Sequence, residues 1–73
     1  MILLLGGTSD SLKIAQKLNE AKLVFYLSVV TDYGEDLAAA VTNHVVKGRL
    51  STVEMVEFIK KQQITQLIDA THP

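Results

Sequence analysis

The residues best suited to chemistry fall into glycine- and hydroxyl-rich clusters: Gly6-Gly7-Thr8-Ser9-Asp10, Thr31-Asp32-Tyr33-Gly34, Gly48-Arg49-Leu50-Ser51 and Asp69-Ala70-Thr71-His72-Pro73. A Gly-Gly-Thr turn lets backbone N–H groups come close to an anion. A helix opening directly after it aims more N–H groups, and the positive end of its dipole, at the same point. The Thr8 and Ser9 hydroxyls add further donors, so the chemistry indicated is phosphate or pyrophosphate binding. The dinucleotide fingerprint G-x-G-x-x-G is not met, because its second and third glycines, counted from Gly6, are Thr8 and Ser11. A glycine turn between strand and helix that binds nothing reads the same way.

In a dinucleotide-binding sheet, the end of the second strand meets the adenosine ribose. An acid there takes the 2′-hydroxyl of NAD, whereas hydroxyls or an arginine accommodate the 2′-phosphate of NADP. Here Thr31 is followed by Asp32, which points both ways. Arg49 could pair with a phosphate bidentately. Asp32 also reads as a turn residue bonding its own backbone, and Arg49 as a surface charge. Asp69 and His72 read either as an acid–base or ligand-positioning pair, or as a turn cap and an extended residue before proline. His44 lacks a partner and reads as structural. Two histidines far apart, with no cysteine, offer no metal-ligand spacing, and no nucleophile–base constellation is evident.

These clusters need elements that bring them to one edge. Ile2–Leu5 is short and uniformly apolar, as a strand buried on both faces should be. From Ser9 to about Ala21 the period changes. Leu12, Ala15, Leu18 and Ala21, with Ile14, form one stripe, and Thr8, Ser9 or Asp10 could cap the helix. Leu23–Val30 is rich in strand formers, and a short helix follows over about Glu35–Val41. His44–Val46 is a weak third strand. Ser51 and Glu54 match the capping box of another helix, whose buried face is Val53, Val56 and Ile59 with Met55 and Phe58. Leu67–Asp69 is a fourth strand. Right-handed crossovers then favour an α/β, Rossmann-like three-layer parallel sheet in order 3-2-1-4 with helices on both faces. A flavodoxin-like order 2-1-3-4 is the competitor. In the first arrangement the clusters all fall beyond the carboxyl ends of the strands, while the opposite loops carry nothing distinctive.

Composition narrows the function classes. The 73 residues make one domain at most, able to bury only about 60% of the unfolded chain's surface. Seven basic and eight acidic residues leave no clustered positive face for nucleic acid. No apolar run approaches the roughly 20 residues of a membrane span, so a cytoplasmic protein is the default expectation. A fourth strand with an open edge and half-covered faces is a liability. Residues 1–73 therefore read as a truncated N-terminal domain whose missing C-terminal domain, or a homodimer, would cover it.

Taken together, Ile2–Leu5 with Gly6–Asp10, Ser28–Gly34, Gly48-Arg49-Leu50 and Ile68–Pro73 resemble the N-terminal part of the precorrin-6A reductases, including the cobalt-precorrin-6A reductases. The resemblance covers the whole chain, and Asp69-Ala70-Thr71-His72-Pro73 is its most specific piece. It departs mildly at Asp10, where glutamate is more usual, and at Ser11, where glycine is frequent. The resemblance implies two α/β domains flanking a cleft, and reduction of the precorrin-6A macrocycle by NADPH or NADH on the route to cobalamin. It implies that Gly6, Gly7, Thr8, Ser9, Thr31, Tyr33, Gly48, Arg49 and Thr71 serve the cofactor, and that Asp69 and His72 stand by the reacting centre. Another Rossmann-type oxidoreductase or epimerase, and a non-catalytic nucleotide-binding module, are the alternatives; a receiver would need acids where Gly6 and Gly7 stand.

Overall fold

The structure is a computed structural model describing residues 1–42 and 44–71. Its order is β1 (Ile2–Leu5), α1 (Ser9–Glu20), β2 (Phe25–Val29), α2 (Asp32–Ala39), β3 (Val45–Lys47), α3 (Thr52–Lys61) and β4 (Gln66–Asp69). All pairings are parallel and the sheet runs β3-β2-β1-β4, as expected from the sequence.

Alternation along the strands sorts the two faces. Ile2 and Leu4 stand in register with Phe25 and Leu27. With Val29, Ala15 of α1, Ala38 of α2 and Ala70 they make the core, joined at its margin by Ile14, Leu18, Val41, Val45 and Ile68. Helices α1 and α2 therefore cover one face. Helix α3 covers the other: Tyr26 meets Phe58 edge-to-face at 5.1 Å, and its hydroxyl donates to Gln62 Oε1 at 2.8 Å. Leu3, wholly buried, lies beneath this layer on the Tyr26 face.

The sequence-based element bounds shift in instructive ways. Helix α2 begins at Asp32, three residues before the expected Glu35, because the Thr31 hydroxyl caps it by accepting from Gly34 N at 2.9 Å. What reads as a loop is the helix's first turn. β2 is shorter than Leu23–Val30, with Leu23, Val24 and Val30 exposed, and β3 spans Val45–Lys47 instead of His44–Val46. In α1 the stripe is rotated: Ser11 is buried and Ala21 is an exposed C-cap.

The largest correction concerns α3. The capping box is present, with Ser51 and Glu54 bonded reciprocally at 3.2 and 3.1 Å. Yet Val53 is 66% and Val56 45% exposed, and only Met55, Phe58 and Ile59 lie partly buried. Among the described residues no element packs on the Val53–Val56 side, and Leu67 of β4 is likewise half exposed. No helix among the described residues is long and apolar enough to cross a membrane.

Burial sets the expected mutational contrast. Leu27 is fully enclosed, so Leu27→Ala should lose about 2–5 kcal/mol, a large part of the roughly 4–11 kcal/mol that a domain of this size holds. Val53→Thr, on the face the sequence pattern assigns to the core, should stay within about 0.5 kcal/mol. Urea titration followed by circular dichroism measures both.

Candidate functional site

The strand order reverses between β1 and β4, so the crevice at their carboxyl ends is the place where such sheets bind ligands. Backbone bonds knit that edge together. Gly6 N donates to Ser28 O at 2.8 Å, Ala70 N to Leu5 O at 2.9 Å and Gly48 N to Val29 O at 2.9 Å. The loops after all the strands are thereby set in one row.

The turn after β1 is shaped by its glycines for different reasons. A Cβ on Gly6 would lie 2.6 Å from Leu27 Cδ1 and 2.8 Å from Ser11 Oγ, so Gly6 is demanded by packing. Gly7 has φ +104° and open space where a Cβ would sit; its requirement is backbone conformation, and its surroundings admit a ligand. Gly48 repeats the second case at φ +116°.

Thr8 caps α1, accepting from Ser11 N at 3.1 Å, and donates to Ala70 O at 2.9 Å across the reversal point. The Ser11 hydroxyl accepts from Gly7 N and Thr8 N, each at 3.2 Å, and donates to Thr8 O at 2.6 Å. Two amides that could have faced an anion are thus satisfied internally. The first-turn amides of Ser9 and Asp10 have no carbonyl of their own helix to bind, and they are the donors left beside the Ser9 hydroxyl. Between this turn and α2, Gly7, Thr8, Ser11, Leu12, Leu27, Val29, Gly34 and Leu37 enclose a crevice of about 10 Å³, room for a single water.

At the neighbouring lip, Asp32 pairs with Lys47 at the end of β3. The hydrogen bond from Lys47, and then its charge, hold the Asp32 carboxyl below its ordinary range. The same bond and charge push Lys47 up, with Glu35 and Asp36 adding to the effect. Thr31 and Tyr33 are exposed here, Tyr33 strongly. Arg49, one residue past Gly48, is exposed and has no ion pair among the described residues.

On the β4 lip, Asp69 Oδ1 accepts from Thr71 N at 3.1 Å and from Thr71 Oγ1 at 2.6 Å. His72 lies outside the described residues. No group of three or more metal-ligating side chains occurs among the described residues.

Ser11 and Lys47 are the residues sequence reasoning passed over. The third-glycine position was a signal for Ser11, since the fingerprint puts a close helix–strand contact there. Nothing local marks Lys47, which depends on β2 and β3 being neighbours. The larger hollow of this molecule, about 420 Å³, lies at the opposite end of the sheet, lined by Asn19, Leu23–Phe25, Ala39–Thr42 and His44. Size alone does not make it the site: it is an open gap between helix ends, lacks convergent charged groups, and lies away from the strands' carboxyl ends. His44 also packs its ring against Tyr26, at 5.3 Å and a tilt of 46°, a structural role.

The family model described as Precorrin-6x reductase CbiJ/CobK matches residues 1–73. Among curated proteins, the cobalt-precorrin-6A reductase of Methanocaldococcus jannaschii is 44% identical over 73 residues, which is 99% of this chain and 29% of that protein. That of Salmonella typhimurium is 38% identical over 72 residues, 99% of this chain and 27% of its own length. That of Priestia megaterium is 36% identical over 73 residues, 100% of this chain and 29% of its own. The chain therefore spans less than a third of each of these relatives. No solved structure matches it.

Two outcomes test the geometry. Gly6→Ala should destabilise by about 1–3 kcal/mol through overpacking, measured by urea titration. In a carboxyl-detected NMR titration, Asp32 should ionise below the ordinary aspartate range, and Lys47→Met should return it there. The sign follows from the direction of each shift. The lowered Asp32 contributes stability that is present above its unfolded value and lost as pH falls through its folded one. The raised Lys47 contributes stability that is lost as pH rises through its folded value.

Proposed function

The chain belongs to the precorrin-6x reductase family, and from that premise we propose that it is the cofactor-binding portion of a precorrin-6A reductase acting with NADPH or NADH in cobalamin synthesis. The observation that carries this reading is the reversal of strand order between β1 and β4, with an open positive-φ turn at Gly7 on one side and the Asp69–Thr71 lip on the other.

The residues fit a dinucleotide. Gly7 leaves room for close approach of a diphosphate, while Ser9 and Asp10, exposed in the first turn of α1, supply amides and a hydroxyl as donors. Thr31, Tyr33, Gly48 and Arg49 stand on the adjacent lips, where the adenosine end belongs. There Arg49 would take a 2′-phosphate and Asp32 a 2′-hydroxyl. When bound, a reduced nicotinamide supplies the hydride for a double bond of the macrocycle, and a proton from an acid or solvent completes the reduction. Asp69 and Thr71 stand on the β4 lip, beside which the tetrapyrrole would lie, and Asp69 with His72, three residues on in the sequence, are the polar groups assigned to the reacting centre. The remainder of a full-length enzyme would hold much of the substrate.

Titrating the ¹⁵N-labelled chain with NADPH, NADH and ATP is the direct test. The two nicotinamide nucleotides should shift the amides of Gly7, Ser9, Asp10 and Arg49, and Arg49→Ala should weaken NADPH more than NADH. Shifts confined to the Leu23–His44 hollow, or none, would sink the assignment. The isolated chain is expected to bind without reducing precorrin-6A.

A further inference from the structure

A hydroxyl has one proton and two lone pairs, and the use of each at Thr8 can be followed. The proton goes to Ala70 O at 2.9 Å, and one lone pair receives Ser11 N–H at 3.1 Å. Ser11 is fully spent in the same sense: its proton goes to Thr8 O, and its lone pairs receive Gly7 N–H and Thr8 N–H. Phosphate oxygens at neutral pH are acceptors above all. Thr8 therefore has nothing to give one unless it lets go of Ala70.

We propose that Thr8 is a positioning residue and not a phosphate ligand: its side chain bolts the β1–α1 turn to the β4 lip, 62 residues away in sequence, so that the two move as one body. The bolt is well placed. Ala70 is 6% exposed and also donates to Leu5 O, so the lip is held from both of its backbone polar groups. Ser11, fully buried, fixes the turn from beneath. On either side of Ala70, Asp69 and Thr71 are exposed, and the Asp69 carboxylate accepts from the Thr71 amide and hydroxyl. The consequence for function rests on the cofactor reading above: a dinucleotide seated on the turn then sets the register of the lip that faces the substrate.

Three variants separate the roles. Thr8→Ser keeps cap and bolt, Thr8→Asp keeps the cap acceptor but has no proton for Ala70, and Thr8→Val keeps neither. In ligand-free hydrogen exchange, the Ala70 amide should exchange about tenfold faster in the Asp and Val variants, the factor one ordinary hydrogen bond supplies. The Ser variant should match the parent, and only the Val variant should also loosen the first turn of α1. An Ala70 amide equally protected in Thr8→Asp overturns the proposal. A second readout needs no variant. The Thr8 hydroxyl proton of the parent chain should be slow enough at low temperature to observe, with a nuclear Overhauser contact to Ala70; a freely exchanging hydroxyl overturns the proposal just as surely. Titration with NADH or NADPH then adds the functional arm. Gly7 and Ala70 amides should respond together in the parent and Ser variant, and Ala70 should fall silent in Thr8→Val; a silent Ala70 in the parent counts against the bolt. Failure of both nucleotides to bind would remove the cofactor reading, while the exchange result still decides the bolt.

Discussion

Gly6 stands where β1 gives way to α1, and the absence of its Cβ is the constraint on which the carboxyl edge depends. Leu27 Cδ1 and Ser11 Oγ both come within 3 Å of where that atom would be. The helix can therefore settle against the sheet closely enough for Ser11 to be buried among the turn's own amides. From there the consequences run outward. Ser11 closes the turn on itself, Thr8 caps the helix and reaches across to Ala70, and the β4 lip is set beside β1. Remove the close approach and each later bond loses its geometry.

A serine in the third-glycine position gives this turn an unusual economy. In the glycine form of the motif, loop amides stay available to a diphosphate. Here two of them are taken by a buried hydroxyl, so the turn is ordered from within the chain, and the amides of Ser9 and Asp10 are left as its outward donors. Order gained in this way matters in a molecule with so little interior. The main core is a layer of aliphatic side chains and Phe25 beneath α1 and α2; on the other face Leu3 is wholly buried, but α3 itself contributes no buried residue.

The second lip is held differently. Asp32 and Lys47 are exposed, and an exposed pair adds little to stability. Its effect is on local charge: the carboxylate is favoured in its ionised form and matched by a cation at the lip between β2 and β3. The contrast with the buried, neutral hydroxyls around Gly6 follows from solvent access. Charges at a rim retain their hydration, whereas groups inside the turn must find every partner within the chain.

How much of this was legible from the residues depended on range. Apolar runs cut by glycine, the Ser51–Glu54 capping box, and the clustering of glycine and hydroxyl groups after each strand are local patterns governed by local sterics and hydrogen bonding. They sufficed for the element order, the parallel sheet and, with the Asp69–Pro73 motif, the family. Tertiary structure decided the rest. Whether Thr31 starts a loop or caps a helix turned on one hydroxyl rotamer, and whether Val53 is buried turned on what stands beyond β4. The pairing of Lys47 with Asp32 required β3 beside β2. The Gly6-Gly7-Thr8 turn itself shows the division most sharply. Its composition announces a turn rich in donors, but which of them stay unspent was settled by tertiary contacts: Ser11, packed against Gly6, takes two amides, and a carbonyl at the far end of the chain takes the Thr8 hydroxyl.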